Sequence, residues 1–178
     1  MKSGREGARR RRRPLQRARV TQEGGASPSP TIERERAWLE MPTTAFFDTN
    51  VLIYAVAAND PRSARAEELL ASGGVVSVQI LNEFTAVARR KLLMPWAEVT
   101  EAVEAFLVLC PSPVSITLET HVAARAIAEK NGFNIYDALV VAAALDAGCT
   151  TIYSEDFQDG QVIEGKVMVR NPFGKPSP

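Results

Sequence analysis

The chain has 178 residues, 46% of them hydrophobic, and its 21 Lys and Arg balance 21 Asp and Glu. That length buries one ordinary core, since domains usually run to ~100 to 200 residues. The longest wholly apolar run, Ala138 to Leu145, is far short of the ~20 residues that span a bilayer, and no apolar segment follows the basic start. Neither a membrane span nor a secretion signal is expected. The two cysteines, Cys110 and Cys149, lack metal-ligand or redox spacing, which argues against a disulfide framework or a zinc site and for a reducing cytoplasm.

The balanced charge hides an asymmetry. Residues 1–40 hold 11 Lys and Arg against 5 Glu, and the rest holds 10 against 16 Asp and Glu. Residues 1–32 combine the run Arg9 to Arg13 with Gly, Ser and Pro and show no apolar periodicity, so a disordered basic leader is predicted over 1–40. Such a run is more often a solvated tail or a start-site extension than an RNA-binding arm, and Met41 stands just before the first clear strand.

From Met41 the pattern becomes regular. Ala45-Phe46-Phe47 reads as a buried strand, Asn50 to Ala57 as a short helix, and Pro61 to Ala71 as a helix closed by Gly73-Gly74. Val75 to Val78 reads as a second strand, followed by helices at about Gln79 to Lys91 and Trp96 to Leu109. A third strand is expected near Val114 to Thr117, after Pro111 and Pro113. Helices at about Glu119 to Lys130 and Ile135 to Ala147 are each closed by a glycine, Gly132 and Gly148. Cys149 to Tyr153 and Lys166 to Arg170 complete a set of about five strands. Strands alternating with helices predict an α/β fold in three layers, with a mainly parallel sheet flanked by helices and ligands at the strands' carboxyl ends.

Four acids converge on that edge in this reading. Asp48 follows the first strand and opens a helix, where either it or Thr49 could serve as the N-cap. Glu83 lies just beyond the apolar stripe of Ile80, Leu81, Phe84, Val87 and Ala88, bordering the core while reaching the crevice. Asp137 sits in the first turn of an otherwise apolar helix, with Asn134 as its expected cap. Ser154-Glu155-Asp156 follows another strand, and position alone leaves open which acid points inward. Each site has an ordinary structural explanation; their shared location is what points to chemistry. A pair of like charges at 4 Å costs ~1 kcal/mol in water and ~4 at an effective dielectric of 20, so a cluster of four calls for neutralisation. Divalent cations do this at neutral pH, and an all-oxygen set suits Mg²⁺ or Mn²⁺. A phosphodiester is the natural substrate.

The pieces Phe47-Asp48-Thr49-Asn50, Gln79-Ile80-Leu81-Asn82-Glu83-Phe84, Tyr136-Asp137-Ala138 and Ser154-Glu155-Asp156-Phe157-Gln158-Asp159-Gly160, followed by Asn171-Pro172-Phe173, resemble in order and spacing the PIN-domain nucleases, and within them the VapC-like toxin ribonucleases. The likeness runs from about Pro42 to Phe173, which places a PIN domain over 41–178. It implies a metal-dependent endoribonuclease with Asp48, Glu83, Asp137 and Asp156 as catalytic and metal-binding acids. The family's pattern of hydroxyl, any residue, Asp favours Asp156 over Glu155, and Asn50 and Ser154 would orient the carboxylates or a water. The resemblance further implies an RNA substrate, a homodimer and a small antitoxin partner. A non-toxin RNA-processing nuclease and a catalytically silent binding module share the same motifs. A phosphoryl-accepting receiver fits less well, because Asp48-Thr49-Asn50 lacks a second aspartate and Phe46-Phe47 stands where acids would be needed.

Overall fold

The computed structural model describes residues 44–174, so the basic leader predicted over 1–40 lies outside the described residues. Three-residue strand β1 (Ala45–Phe47) leads through Asp48 into α1 (Thr49–Val56). Four helices follow: α2 (Ser63–Ala71), α3 (Val78–Arg90), α4 (Trp96–Leu109) and α5 (Leu118–Asn131). Next come α6 (Ile135–Asp146), β2 (Thr151–Tyr153), β3 (Val162–Ile163) and β4 (Val167–Arg170).

The sheet order is β1-β2-β4-β3, with β1, β2 and β4 parallel and β3 antiparallel on the edge. On the far side of β1 the chain adds two further parallel contacts, Phe46 with Val75 and Ser77 with Val114. The expected strands at 75–78 and 114–117 therefore lie in the predicted sheet but pair over only a residue or two. Capping explains their brevity: the Ser77 side chain accepts from Ile80 N to start α3, and Thr117 accepts from Thr120 N to start α5. Ser77 passes from the sheet straight into its cap, and Thr117 caps α5 three residues after the sheet contact at Val114.

The hairpin between β3 and β4 has no counterpart in the sequence reading. Its two central residues, Glu164 and Gly165, have φ of 52° and 65°, and Lys166 N donates to Ile163 O at 3.1 Å. Positive φ at both positions gives a turn whose twist matches that of the strands. A Lys130–Glu164 ion pair at 2.8 Å ties this turn to α5.

The core lies between the sheet and its helices. Phe46, Phe47, Leu52, Ile80, Phe84, Val141, Ile152 and Val167 are fully enclosed. In α6 the whole stretch from Val140 to Ala144 is buried, as its all-round apolar sequence requires. Cys110 and Cys149 are buried free thiols. Among the described residues no helix is long and apolar enough to cross a membrane.

Candidate active site

Asp48 stands where β1 ends. Its N–H donates to Tyr153 O at 3.1 Å, and Ser154 N donates to Arg170 O at 3.1 Å, so Asp48 and Ser154 lie side by side at the carboxyl edge of the parallel strands. The Asp48 side chain does cap α1, accepting from Thr49 N at 2.7 Å through Oδ1. The capping and site readings coexist, because Oδ2 remains for other partners. Ser154 Oγ donates to that oxygen at 2.5 Å, and Asn50 Nδ2 lies 3.4 Å from it.

Asp48 is only 6% exposed. Burial pushes its carboxyl up to about 6, opposed by the hydrogen bonds from Ser154 and Thr49 and reinforced by the charges of Asp156 and Glu83. The Asp137 carboxyl is also raised, by burial first and then by the same two charges. Asp48 and Asp137 thus feel the charges of the same two neighbours, Asp156 and Glu83.

Different segments deliver the other three. Glu83, half-buried on α3, accepts from Thr49 Oγ1 at 2.8 Å and from Gln79 Nε2 at 3.0 Å. Asp137 opens α6 beneath Asn134, whose Oδ1 accepts from Tyr136 N at 2.8 Å and Asp137 N at 3.0 Å and whose Nδ2 donates to Asp137 Oδ2. Asp156 lies exposed at the crevice mouth, with Asn50 Nδ2 3.3 Å from its Oδ2 and its own N–H donating to Ser154 Oγ at 3.1 Å.

Glu155 turns the other way, to a cluster that the sequence reading did not single out. It accepts from the Tyr54 hydroxyl and pairs with Arg62 at 3.3 Å. Arg62 packs its guanidinium 3.5 Å from the centre of the Tyr54 ring and gives Asp60 three hydrogen bonds, two from the guanidinium at 2.9 and 2.8 Å and one from its backbone N–H at 2.9 Å. The bonds from Arg62 hold the Asp60 carboxyl down at about 2, whereas burial and the Glu155 hydrogen bond push the Tyr54 hydroxyl up to about 12. This cluster pins the turn after β2 to the end of α1, leaving Asp156 to face the crevice. Arg89 is likewise engaged locally, donating to Met94 O and lying 4.9 Å from the Trp96 ring centre.

None of the four crevice acids forms an ion pair with Lys or Arg among the described residues. The donor set is therefore all oxygen and in negative excess, which fits a hard divalent cation. As the side chains stand, no three acids among the described residues close on a common point that would hold an ion. In this arrangement Glu83 accepts from Thr49 and Gln79, which hold it beside Asp48 and the start of α6, and Asp137 accepts from Asn134.

Residues 45–158 match the sequence model of the PIN domain. This chain belongs to the PIN domain family. No curated protein matched it by sequence. Its fold is similar to that of VapC20 from Mycobacterium tuberculosis, a toxin that cleaves the Sarcin-Ricin loop, with 20% identity and a TM-score of 0.52 over 65% of this chain and 90% of that one. VapBC2 from Rickettsia felis, solved with a DNA fragment from its promoter, gives 17% identity and a TM-score of 0.54 over 72% and 98%. FitAcB from Neisseria gonorrhoeae gives 17% and 0.50 over 73% and 99%. The α/β architecture expected from the PIN resemblance is the one observed.

Proposed function

We propose that this PIN domain is a Mg²⁺- or Mn²⁺-dependent endoribonuclease that hydrolyses RNA phosphodiester bonds, and that it is the toxin of a toxin-antitoxin pair. The observation that carries this reading is that hydrogen bonds through Asn50, Thr49 and Gln79 link Asp48 with Asp156, with Glu83 and with the helix start that bears Asp137, and that none of the four acids has a basic partner among the described residues. These acids would hold a divalent cation, which when bound would offset their charge and supply a water of lowered pKa.

The chain's own groups would then divide the work. Asp48 and Asp137 would hold the cation, with Glu83 and Asp156 completing the acidic set. Ser154 and Asn50 would keep the Asp48 carboxylate turned into the crevice, as outer hydrogen-bond donors do in metal sites. The Sarcin-Ricin cleaving activity of VapC20 supports RNA as the substrate. The VapBC2 and FitAcB neighbours support a small antitoxin as partner, and the family resemblance supports a homodimer. An arginine on such a partner could compete with the cation for these carboxylates.

A catalytically silent PIN-fold binding module is the second reading, favoured by the absence of three convergent acids among the described residues. To separate the two, the full chain would be incubated with structured RNAs in Mg²⁺ or Mn²⁺, beside EDTA and the Asp48→Asn and Asp137→Asn variants. Cleavage lost in EDTA and in both variants supports the nuclease. Cleavage that survives both variants defeats the acidic-cluster mechanism, and failure to cut any RNA favours the binding module.

A further inference from the structure

Gln79 lies in the first turn of α3, one helical turn before Glu83 and on the same face. Its Nε2 donates to Glu83 Oε1 at 3.0 Å and to the carbonyl of Tyr136 at 3.2 Å. Both amide hydrogens are thus spent on acceptors, one on α3 and one on α6 beside Asp137. A flipped amide would set its oxygen against those two acceptors, so the neighbours fix its orientation.

That orientation has a cost. Gln79 Oε1 is buried with no hydrogen-bond partner among the described residues, a situation proteins ordinarily avoid. A side chain needed only for packing has no reason to keep an unpaired oxygen. The arrangement makes sense if the two donated bonds are what matters. The other oxygen of Glu83 accepts from Thr49 Oγ1 at 2.8 Å, next to Asp48. Glu83 is therefore suspended between a residue adjoining Asp48 and one that grips α6 where Asp137 begins.

We propose that Gln79 is a positioning residue that spaces Glu83 on α3 from Asp137 on α6 and thereby sets the opening across which the acidic cluster takes a divalent cation. This rests on reading that cluster as a metal site. Gln79 touches neither substrate nor cation; it acts through Glu83 and the helix carrying Asp137.

The test uses the full chain as wild type, Gln79→Met and Gln79→Glu. Methionine keeps the length and helix propensity of glutamine without its donors, so a packing role would survive that change. Glutamate keeps the shape but turns a carboxylate toward Glu83 and the Tyr136 carbonyl. Mn²⁺ binding would be followed by the loss of the free-ion electron paramagnetic resonance signal, and RNA cleavage by steady-state kinetics, with circular dichroism melts as the folding control. Gln79→Met is expected to weaken Mn²⁺ binding and lower kcat by about 10-fold or more, with KM for RNA within about 2-fold. Gln79→Glu is expected to lose more. Wild-type Mn²⁺ affinity and kcat in Gln79→Met, beside a wild type that binds and cleaves, would overturn the positioning role alone. A wild type that neither binds Mn²⁺ nor cleaves would overturn the metal-site reading and this inference with it, so the wild-type arm tells the two failures apart.

Discussion

Ser154 Oγ donates to Asp48 Oδ2 at 2.5 Å across 106 positions of chain. Ser154 Oγ in turn accepts from Asp156 N at 3.1 Å and lies 3.3 Å from Asn50 Nδ2. With its lone pairs so occupied, the hydroxyl has one direction left for its hydrogen. Ser154→Ala removes a bond that stabilises ionised Asp48, so the Asp48 carboxyl should rise further and compete less well for a cation. Cleavage at limiting Mn²⁺ should fall by about 10-fold to 100-fold and recover partly at high Mn²⁺. A rate measured against Mn²⁺ concentration checks this, and an unchanged midpoint would separate Ser154 from the site.

The burial of Asp48 also has a stability consequence in the metal-free protein. Its carboxyl stands at about 6 in the fold against an ordinary value of 3.8, so the folded state binds more protons between those two pH values. The associated stability is fully present below about pH 4 and is lost as pH rises through about 6. By neutral pH the loss relative to acid pH amounts to about 3 kcal/mol. In EDTA, Asp48→Asn should therefore melt higher than wild type at pH 7.5, and the gap should close toward pH 4. Mn²⁺ should stabilise the wild type at pH 7.5 and leave the variant unmoved. A variant that melts lower than wild type at both pH values would count against this electrostatic account.

Much of this arrangement was legible in the sequence because it rests on local signals. Trp96 and Leu109 bound a helix as predicted, and glycines close α5 and α6 at Gly132 and Gly148, with φ of 72° and 67°. Asp48 was legible for a physical reason: an acid directly after an apolar strand in an α/β pattern has only the sheet edge to occupy. What escaped depends on contacts between distant segments. Position alone left Glu155 and Asp156 open, and only the family pattern favoured Asp156; in the fold Tyr54 and Arg62 take Glu155. Gln79 resembles an ordinary polar helix residue until Tyr136 is brought 57 positions across to it. The hairpin at Glu164-Gly165 was missed because strand β3 is two residues long, too short to show alternation.

The opposed directions of Glu155 and Asp156 predict opposed phenotypes. Asp156→Asn removes a charge from the crevice and should reduce cleavage at least about 10-fold with little change in melting temperature. Glu155→Ala takes away the acceptor of the Tyr54 hydroxyl and of Arg62, so it should lower the melting temperature and relax the turn holding Asp156. Its activity loss should be the smaller, and Glu155→Gln, which can still accept from Tyr54, should restore most of it. Parallel melts and cleavage rates decide the matter; equal losses of activity in Asp156→Asn and Glu155→Gln would mean that both acids serve the crevice.

Gly74 links the packing of the sheet to the site. A Cβ built there would lie 2.4 Å from Phe47 Cε2 and 2.9 Å from the Ala45 carbonyl oxygen, the latter fixed by its bond from Val75 N at 2.8 Å. Backbone cannot yield as a side chain can, so Gly74→Ala must push the Phe47 ring or part β1 from Val75. Overpacking of this kind costs about 1 to 3 kcal/mol. Phe47 directly precedes Asp48, so the strain should reach the crevice as well, and the variant should lose activity along with stability. Gly148→Ala makes a good comparison: a Cβ there meets nothing within 4 Å, but φ of 67° imposes backbone strain. That strain should cost about 1 to 2 kcal/mol and leave cleavage by the folded protein unchanged. Thermal melts with activity measured well below each midpoint distinguish the two, and equal activity in both variants would show that Phe47 moves without displacing Asp48.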